Sequence, residues 1–161
     1  MIKRLTIIGV GLIGSSLSLA LKKSAHVEHV TGCGRSQANL EKGVELGVLD
    51  DFSLSIAEAV EDSDVVVVAV PLGAMRPVFS QVARGLSSNT VITDVGSSKG
   101  SVVQDARAEL GANISRFVAG HPIAGTEQSG VEAGFATLFE ERKVIPVLLL
   151  KSLQLVFFPK P

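Results

Sequence analysis

Three segments of this 161-residue chain carry residue types at spacings that could do chemistry. The first is Gly9-Val10-Gly11-Leu12-Ile13-Gly14, a G-x-G-x-x-G spacing set between an apolar run and a helical pattern. Glycine at 9 permits a tight turn, glycine at 11 removes a side chain where a diphosphate must approach the backbone, and glycine at 14 lets a helix pack close to a sheet. The free N–H groups of Leu12 and Ile13, together with the positive end of the helix dipole, would attract the anion. The spacing therefore predicts a dinucleotide site. Methyltransferases and plain structural turns also use glycines in this way.

Discrimination between the two nicotinamide dinucleotides is usually written at the end of the second strand, where a carboxylate accepts from the adenosine ribose hydroxyls. Here the residues are Cys33-Gly34-Arg35-Ser36. Gly34 stands at the carboxylate position, so no charge repels a 2′-phosphate, and Arg35 and Ser36 are able to donate to one. That pattern favours NADP, with NAD as the alternative in which Arg35 stacks on the adenine. Cys33 reads as a small buried strand residue, since no paired base is identifiable beside it.

The other two segments follow strands, at the edge where open α/β sheets bind ligands. Thr93-Asp94-Val95-Gly96-Ser97-Ser98-Lys99-Gly100 lacks the phosphate-loop spacing it superficially suggests. Gly120-His121-Pro122-Ile123-Ala124-Gly125-Thr126-Glu127 contains the histidine with the most information. It follows an apolar strand ending at Ala119 and is held by proline, so it should project into the cleft. An imidazole at such a place suits removal of a hydroxyl proton while hydride leaves the same carbon. A satisfied structural histidine fits the spacing equally well. Val70-Pro71-Leu72 is the third strand end, beside the expected nicotinamide ribose; simple strand termination by proline fits it equally well. His26 and His29 read as surface residues, and no histidine or carboxylate set has metal-ligand spacing, so no metal is expected.

These residues need a frame, and the periodicity supplies one. Ile2 to Ile8, Val27 to Cys33, Asp64 to Val70, Thr90 to Thr93 and Arg116 to Ala119 read as strands. Helices are expected over Leu12 to Lys23, Ser36 to Leu46, Ile56 to Val60 with Ser55 as its N-cap, Ala74 to Leu86 and Lys99 to Leu110. A short element spans Val48 to Asp51. Each strand is too apolar to keep one face in water, which predicts a mostly parallel, doubly wound α/β sheet of the Rossmann kind. The dinucleotide domain is expected over residues 1–143. Residues 144–161 read as a last strand and an atypical apolar tail, KVIPVLLLKSLQLVFFPKP from Lys143 onward.

Composition sets the exclusions. With 46% apolar and 19% charged residues the chain has ample material for a core. Its net charge of −1 offers no bulk positive field for nucleic acid, and the absence of Trp and Tyr leaves no base-stacking platform. Lys3 and Arg4 before an apolar stretch imitate a signal peptide. The glycines at 9, 11 and 14 and serines at 15, 16 and 18 speak against one, and other apolar runs are too short to span a bilayer. A soluble, cytoplasmic protein without membrane or nucleic-acid partners is expected.

Beyond these physical readings, GVGLIG, TDVGSSKG at 93–100 and GHPIAGTEQSG at 120–130 together resemble the prephenate and arogenate dehydrogenases of tyrosine biosynthesis, over about Ile2 to Lys143. The resemblance implies an oxidative decarboxylation of prephenate or arogenate. In it, His121 takes the proton of the ring C4 hydroxyl and Ser97 hydrogen-bonds the same hydroxyl. Lys99 sits in the matching loop as a structural residue or a ligand; Glu127 and Ser129 would serve positioning, or Ser129 a helix cap. Two departures stand out. The family's helical half, which supplies a substrate-binding arginine and most of a homodimer interface, has no counterpart here, and Val144-Ile145-Pro146-Val147 replaces an apolar-Thr-Pro turn. A truncated or frameshifted N-terminal half would account for both, with cofactor binding surviving better than catalysis. The competing readings are a catalytically silent dinucleotide-binding module and a β-hydroxyacid dehydrogenase.

Overall fold

A run such as Val65-Val66-Val67-Val68 has no polar face, so it is stable as a strand only where both faces of a sheet are covered. The computed structural model, which describes residues 1–147, puts it there. The expected tail over 148–161 lies outside the described residues. Strands β1 (Ile2–Ile8), β2 (Val27–Cys33), β3 (Asp51–Ser53), β4 (Val65–Val68), β5 (Val91–Asp94), β6 (Phe117–Pro122) and β7 (Val144–Val147) form one sheet in the order β3-β2-β1-β4-β5-β6-β7. The first six are parallel and β7 runs antiparallel to β6. Helices α1 (Leu12–Lys23), α2 (Gln37–Glu45), α3 (Ile56–Ala59), α4 (Met75–Gly85) and α5 (Lys99–Glu109) alternate with the strands. This is the doubly wound Rossmann arrangement.

Alternation along β4 shows how the core is divided. Val66 and Val68 point to one face, against Met75, Val78, Phe79 and Val82 of α4 and Val102 and Ala106 of α5. Val67 points to the other, with Leu5, Ile7 and Val30, where α1 and α2 contribute Leu17, Leu19, Leu21 and Leu40. Phe79 and Phe117 meet edge to face at 5.4 Å, locking α4 to β6. Among the described residues no helix is long and apolar enough to cross a membrane.

Boundaries differ from the periodicity where backbone groups are already committed. The short element expected over Val48 to Asp51 appears as β3, displaced to Asp51–Ser53. The N–H groups of Val48 and Leu49 are both taken by the Gly43 carbonyl as the chain leaves α2 through Gly47 at φ +68°, so neither can join a ladder. Ser36 and Ser55 are N-caps, accepting from the N–H groups of Asn39 and Glu58. Ser36 therefore stands outside its helix. Strand β4 stops at Val68, short of the expected Val70, and a 3₁₀ turn over Leu72–Ala74 precedes α4.

The largest change is in β6, which continues past the expected Ala119 to Pro122. Its ladder with β5 ends at Val118, but β7 pairs with it from Ala119 to Pro122, extending the sheet. His121 is thus inside a strand, opposite Ile145. In the interior of the sheet α1 is pressed onto β1: a Cβ at Gly14 would lie 2.5 Å from the Gly9 carbonyl oxygen and 2.9 Å from Ile7 Cγ2. Gly14→Ala is expected to cost about 1–3 kcal/mol through overpacking, read as a lower urea midpoint at unchanged slope.

Candidate active site

Strands β1 and β4 are neighbours, yet their following helices cover opposite faces, so a groove opens between their carboxyl ends. The turn leaving β1 forms one wall. Gly9 has φ +96°, and a Cβ there would lie 2.4 Å from the Ala69 carbonyl oxygen, so only glycine passes. Its N–H is already bonded to the Cys33 carbonyl at 2.8 Å and is not available to a ligand. Gly11 is different. Nothing lies within 4 Å of a Cβ built on it, and as N-cap of α1 it offers no side chain to the first helical turn. The N–H groups of Leu12 and Ile13 have no acceptor within the helix. Backbone donors, the dipole's positive end and open space coincide, which is the fit a dinucleotide diphosphate requires.

Two cavities share this turn. One, of about 860 Å³, is lined by Gly9, Gly11, Gly34, Arg35, Ser36 and Asn39 on one side and by Val70 and Pro71 on the other. No carboxylate is among its lining residues, and Arg35 is exposed. The Ser36 hydroxyl accepts from the Asn39 N–H at 3.3 Å and keeps its own hydrogen for a ligand. Cys33 lies at its floor, 1% exposed, and burial pushes its thiol up to about 11, so it is protonated and unreactive near neutrality.

The second cavity, of about 620 Å³, continues from the first through Gly11, Val70 and Pro71. Leu12, Ile13 and Leu72 line it together with Ser97 and His121. The residues expected to bind cofactor and the two expected to act on substrate therefore face one continuous groove. Gly14 is the exception: it is absent from both linings and serves the close packing of α1. Ser129 lines the second cavity while Glu127, exposed, does not. Ser129 caps nothing, since Gly130 is the N-cap of the 3₁₀ turn Val131–Ala133. The Nδ1 atom of His121 is buried and has no hydrogen-bond partner among the described residues.

Behind Ser97 and His121 lies a cluster that spacing did not disclose. Asp94, 1% exposed at the end of β5, accepts from the Gly96 N–H at 2.7 Å and the Gly120 N–H at 3.2 Å, and pairs with Lys99. The Lys99 ammonium also donates to the Gly120 carbonyl at 2.5 Å. Lys99 thus makes two bonds within the protein, one to each strand end. Asn39 was missed as well: its amide donates to the Val10 carbonyl at 2.9 Å and accepts from the Val131 N–H at 3.2 Å, tying the glycine turn to the segment after His121. An aspartate closing an apolar strand was a visible signal; the Asn39 strap, reaching 92 residues along the chain, had none. Among the described residues no group of three His, Cys, Asp or Glu could hold a metal.

Residues 17–148 match the model of a family described as prephenate dehydrogenase, nucleotide-binding domain. The chain is 37% identical over 143 residues to the cyclohexadienyl dehydrogenase of Zymomonas mobilis, covering 89% of this chain and 48% of that protein. It is 37% identical to the prephenate dehydrogenase of Bacillus subtilis, over 82% of this chain and 36% of that one. A crystal structure of prephenate dehydrogenase from A. aeolicus, in complex with hydroxyphenyl propionate and NAD+, superposes with a TM-score of 0.85 at 34% identity, over 94% of this chain and 52% of that chain. The chain spans about half the length, or less, of the relatives it matches. Because position 11 is open in space, Gly11→Val is expected to leave the melting temperature unchanged yet weaken nucleotide binding at least about tenfold, measured by fluorescence titration.

Proposed function

The chain belongs to the prephenate dehydrogenase family, matching its nucleotide-binding domain, and from this premise we propose that it binds NADP and acts in the oxidative decarboxylation of prephenate or arogenate. The reading rests on one observation: Ser97 and His121 line the same cavity as Leu12 and Ile13 at the mouth of the glycine turn. When bound, the nicotinamide supplies a hydride acceptor. His121 takes the proton of the ring C4 hydroxyl as that carbon is oxidised, and Ser97 hydrogen-bonds the same oxygen and orients it. Loss of carbon dioxide then makes the ring aromatic. The side walls, Val70, Pro71, Leu72 and Val95, are apolar.

The choice of NADP over NAD is supported by charge. Gly34 contributes no carboxylate, Arg35 and Ser36 both line the adenosine end of the groove, and nothing acidic lines it with them. The A. aeolicus enzyme carries NAD+ in its crystal structure, so the alternative is tested directly. Arg35→Ala is expected to weaken NADPH binding about tenfold or more while changing NADH binding little, because the lost contact is a charge-assisted hydrogen bond to the 2′-phosphate. Equal weakening of both would assign Arg35 to adenine stacking and leave NAD as the cofactor.

Catalysis is tested by His121→Asn, followed as NADPH formation when prephenate or arogenate is added with NADP. Turnover is expected to fall about 10²- to 10⁴-fold, with the NADPH dissociation constant unchanged. Wild-type binding of NADPH without any turnover would assign this chain to a dinucleotide-binding module.

A further inference from the structure

The ladder between β5 and β6 is short. It registers Ile92 with Phe117 and Thr93 with Val118, then stops, although the residues meant for chemistry lie beyond it on both strands. What joins the two strand ends there is a buried ion pair. One Asp94 carboxylate oxygen accepts from the Gly96 N–H at 2.7 Å, in the peptide preceding the one that carries Ser97. The other accepts from the Gly120 N–H at 3.2 Å. Lys99 bonds the first oxygen and donates to the Gly120 carbonyl at 2.5 Å, which belongs to the peptide that begins His121.

We propose that the Asp94–Lys99 pair is a positioning device that sets the spacing between the Ser97 hydroxyl and the His121 imidazole. The proposal rests on the assignment of those two residues to the reacting hydroxyl. Asp94 and Lys99 touch neither substrate nor cofactor in this scheme; they act through Gly96 and Gly120. A base histidine is commonly oriented by a partner on its second ring nitrogen. Among the described residues Nδ1 of His121 has none: it is buried without a hydrogen bond. Its ring is therefore placed by its backbone, and the pair grips that backbone one residue away. Gly120 is part of the device, since a Cβ there would meet the Asp94 carbonyl oxygen at 2.9 Å and Thr93 Oγ1 at 3.3 Å. Stability alone does not explain charges at these positions. The Asp94 side chain is fully buried, and an apolar pair of similar volume generally serves a core as well or better.

The ring signals of the three histidines, read by proton–carbon NMR and assigned with His121→Asn, test the device separately from the reaction. Lys99→Met leaves Asp94 as a lone buried charge and is accompanied by the doubly neutral Asp94→Asn/Lys99→Met, which does not. In both, the His121 signal is expected to shift or broaden while those of His26 and His29 stay. NADPH binding should remain as in the parent, because the glycine turn does not touch the pair. Lys99→Arg keeps the charge and donors and should move the His121 signal less than Lys99→Met, recovering turnover in step with it at unchanged KM. An unmoved His121 signal in the double variant, with only a lower melting temperature, would overturn the proposal. Should that variant fail to fold, a His121 signal in Lys99→Arg identical to the parent alongside lost turnover would overturn it as well. Loss of turnover in His121→Asn is a separate matter: its absence would remove the catalytic assignment while the ring signals still report the clamp.

Discussion

The groove exists because β1 and β4 lie side by side while the chain leaves them toward opposite faces of the sheet. That divergence has one tight point, where the backbone at Gly9 passes the Ala69 carbonyl at a distance no side chain would allow. A larger residue there would push β1 away from β4, and the cleft, the first turn of α1 and the strand end at Val70 would move with it. Every candidate ligand contact lies downstream of this approach. The approaches at Gly9, Gly14 and Gly120 share the same logic: a Cβ at each would lie 2.4, 2.5 and 2.9 Å from a backbone carbonyl oxygen, closer than a methyl group permits.

The two ends of the groove differ in how they hold a ligand. Around the glycine turn the donors are backbone N–H groups whose positions are fixed by the helix itself, and the nearby charge is a flexible, exposed Arg35. Around His121 the backbone is fixed by side chains instead, through Asp94, Lys99 and the antiparallel partner β7. Cofactor capture therefore depends mainly on local secondary structure. The placement of His121 depends on contacts between segments more than twenty residues apart.

That distinction also decides how much was legible beforehand. The glycine spacing, the N-cap at Ser55 and the apolar β4 are local, and each appears where the residue types require. Placement of Ser97 and His121 on one edge followed from strand direction alone, since residues after parallel strands share an end of the sheet. The displaced β3 and the extended β6 were not legible, because competing acceptors and an added strand settled them: the Gly43 carbonyl in the first case, β7 in the second. Lys99 remained ambiguous in sequence between ligand and scaffold. Its contact to the Gly120 carbonyl could not be read, since that residue sits 21 positions away and carries no side chain to advertise it.

A buried carboxylate beside a buried ammonium has a further consequence for the groove. Unpaired, either charge would carry a desolvation penalty of several kcal/mol. Paired with each other and bonded to two N–H groups and a carbonyl, the two opposite charges offset one another over a few ångströms. The imidazole at 121 is thereby gripped by charged groups without facing a net charge from them. A neutral hydrogen-bonding residue at 94 would hold Gly120 less firmly, and a lone charge would bias the protonation of whatever base stood next to it. The ion pair combines strong, directional bonds to the backbone with opposite charges that offset one another beside the groove.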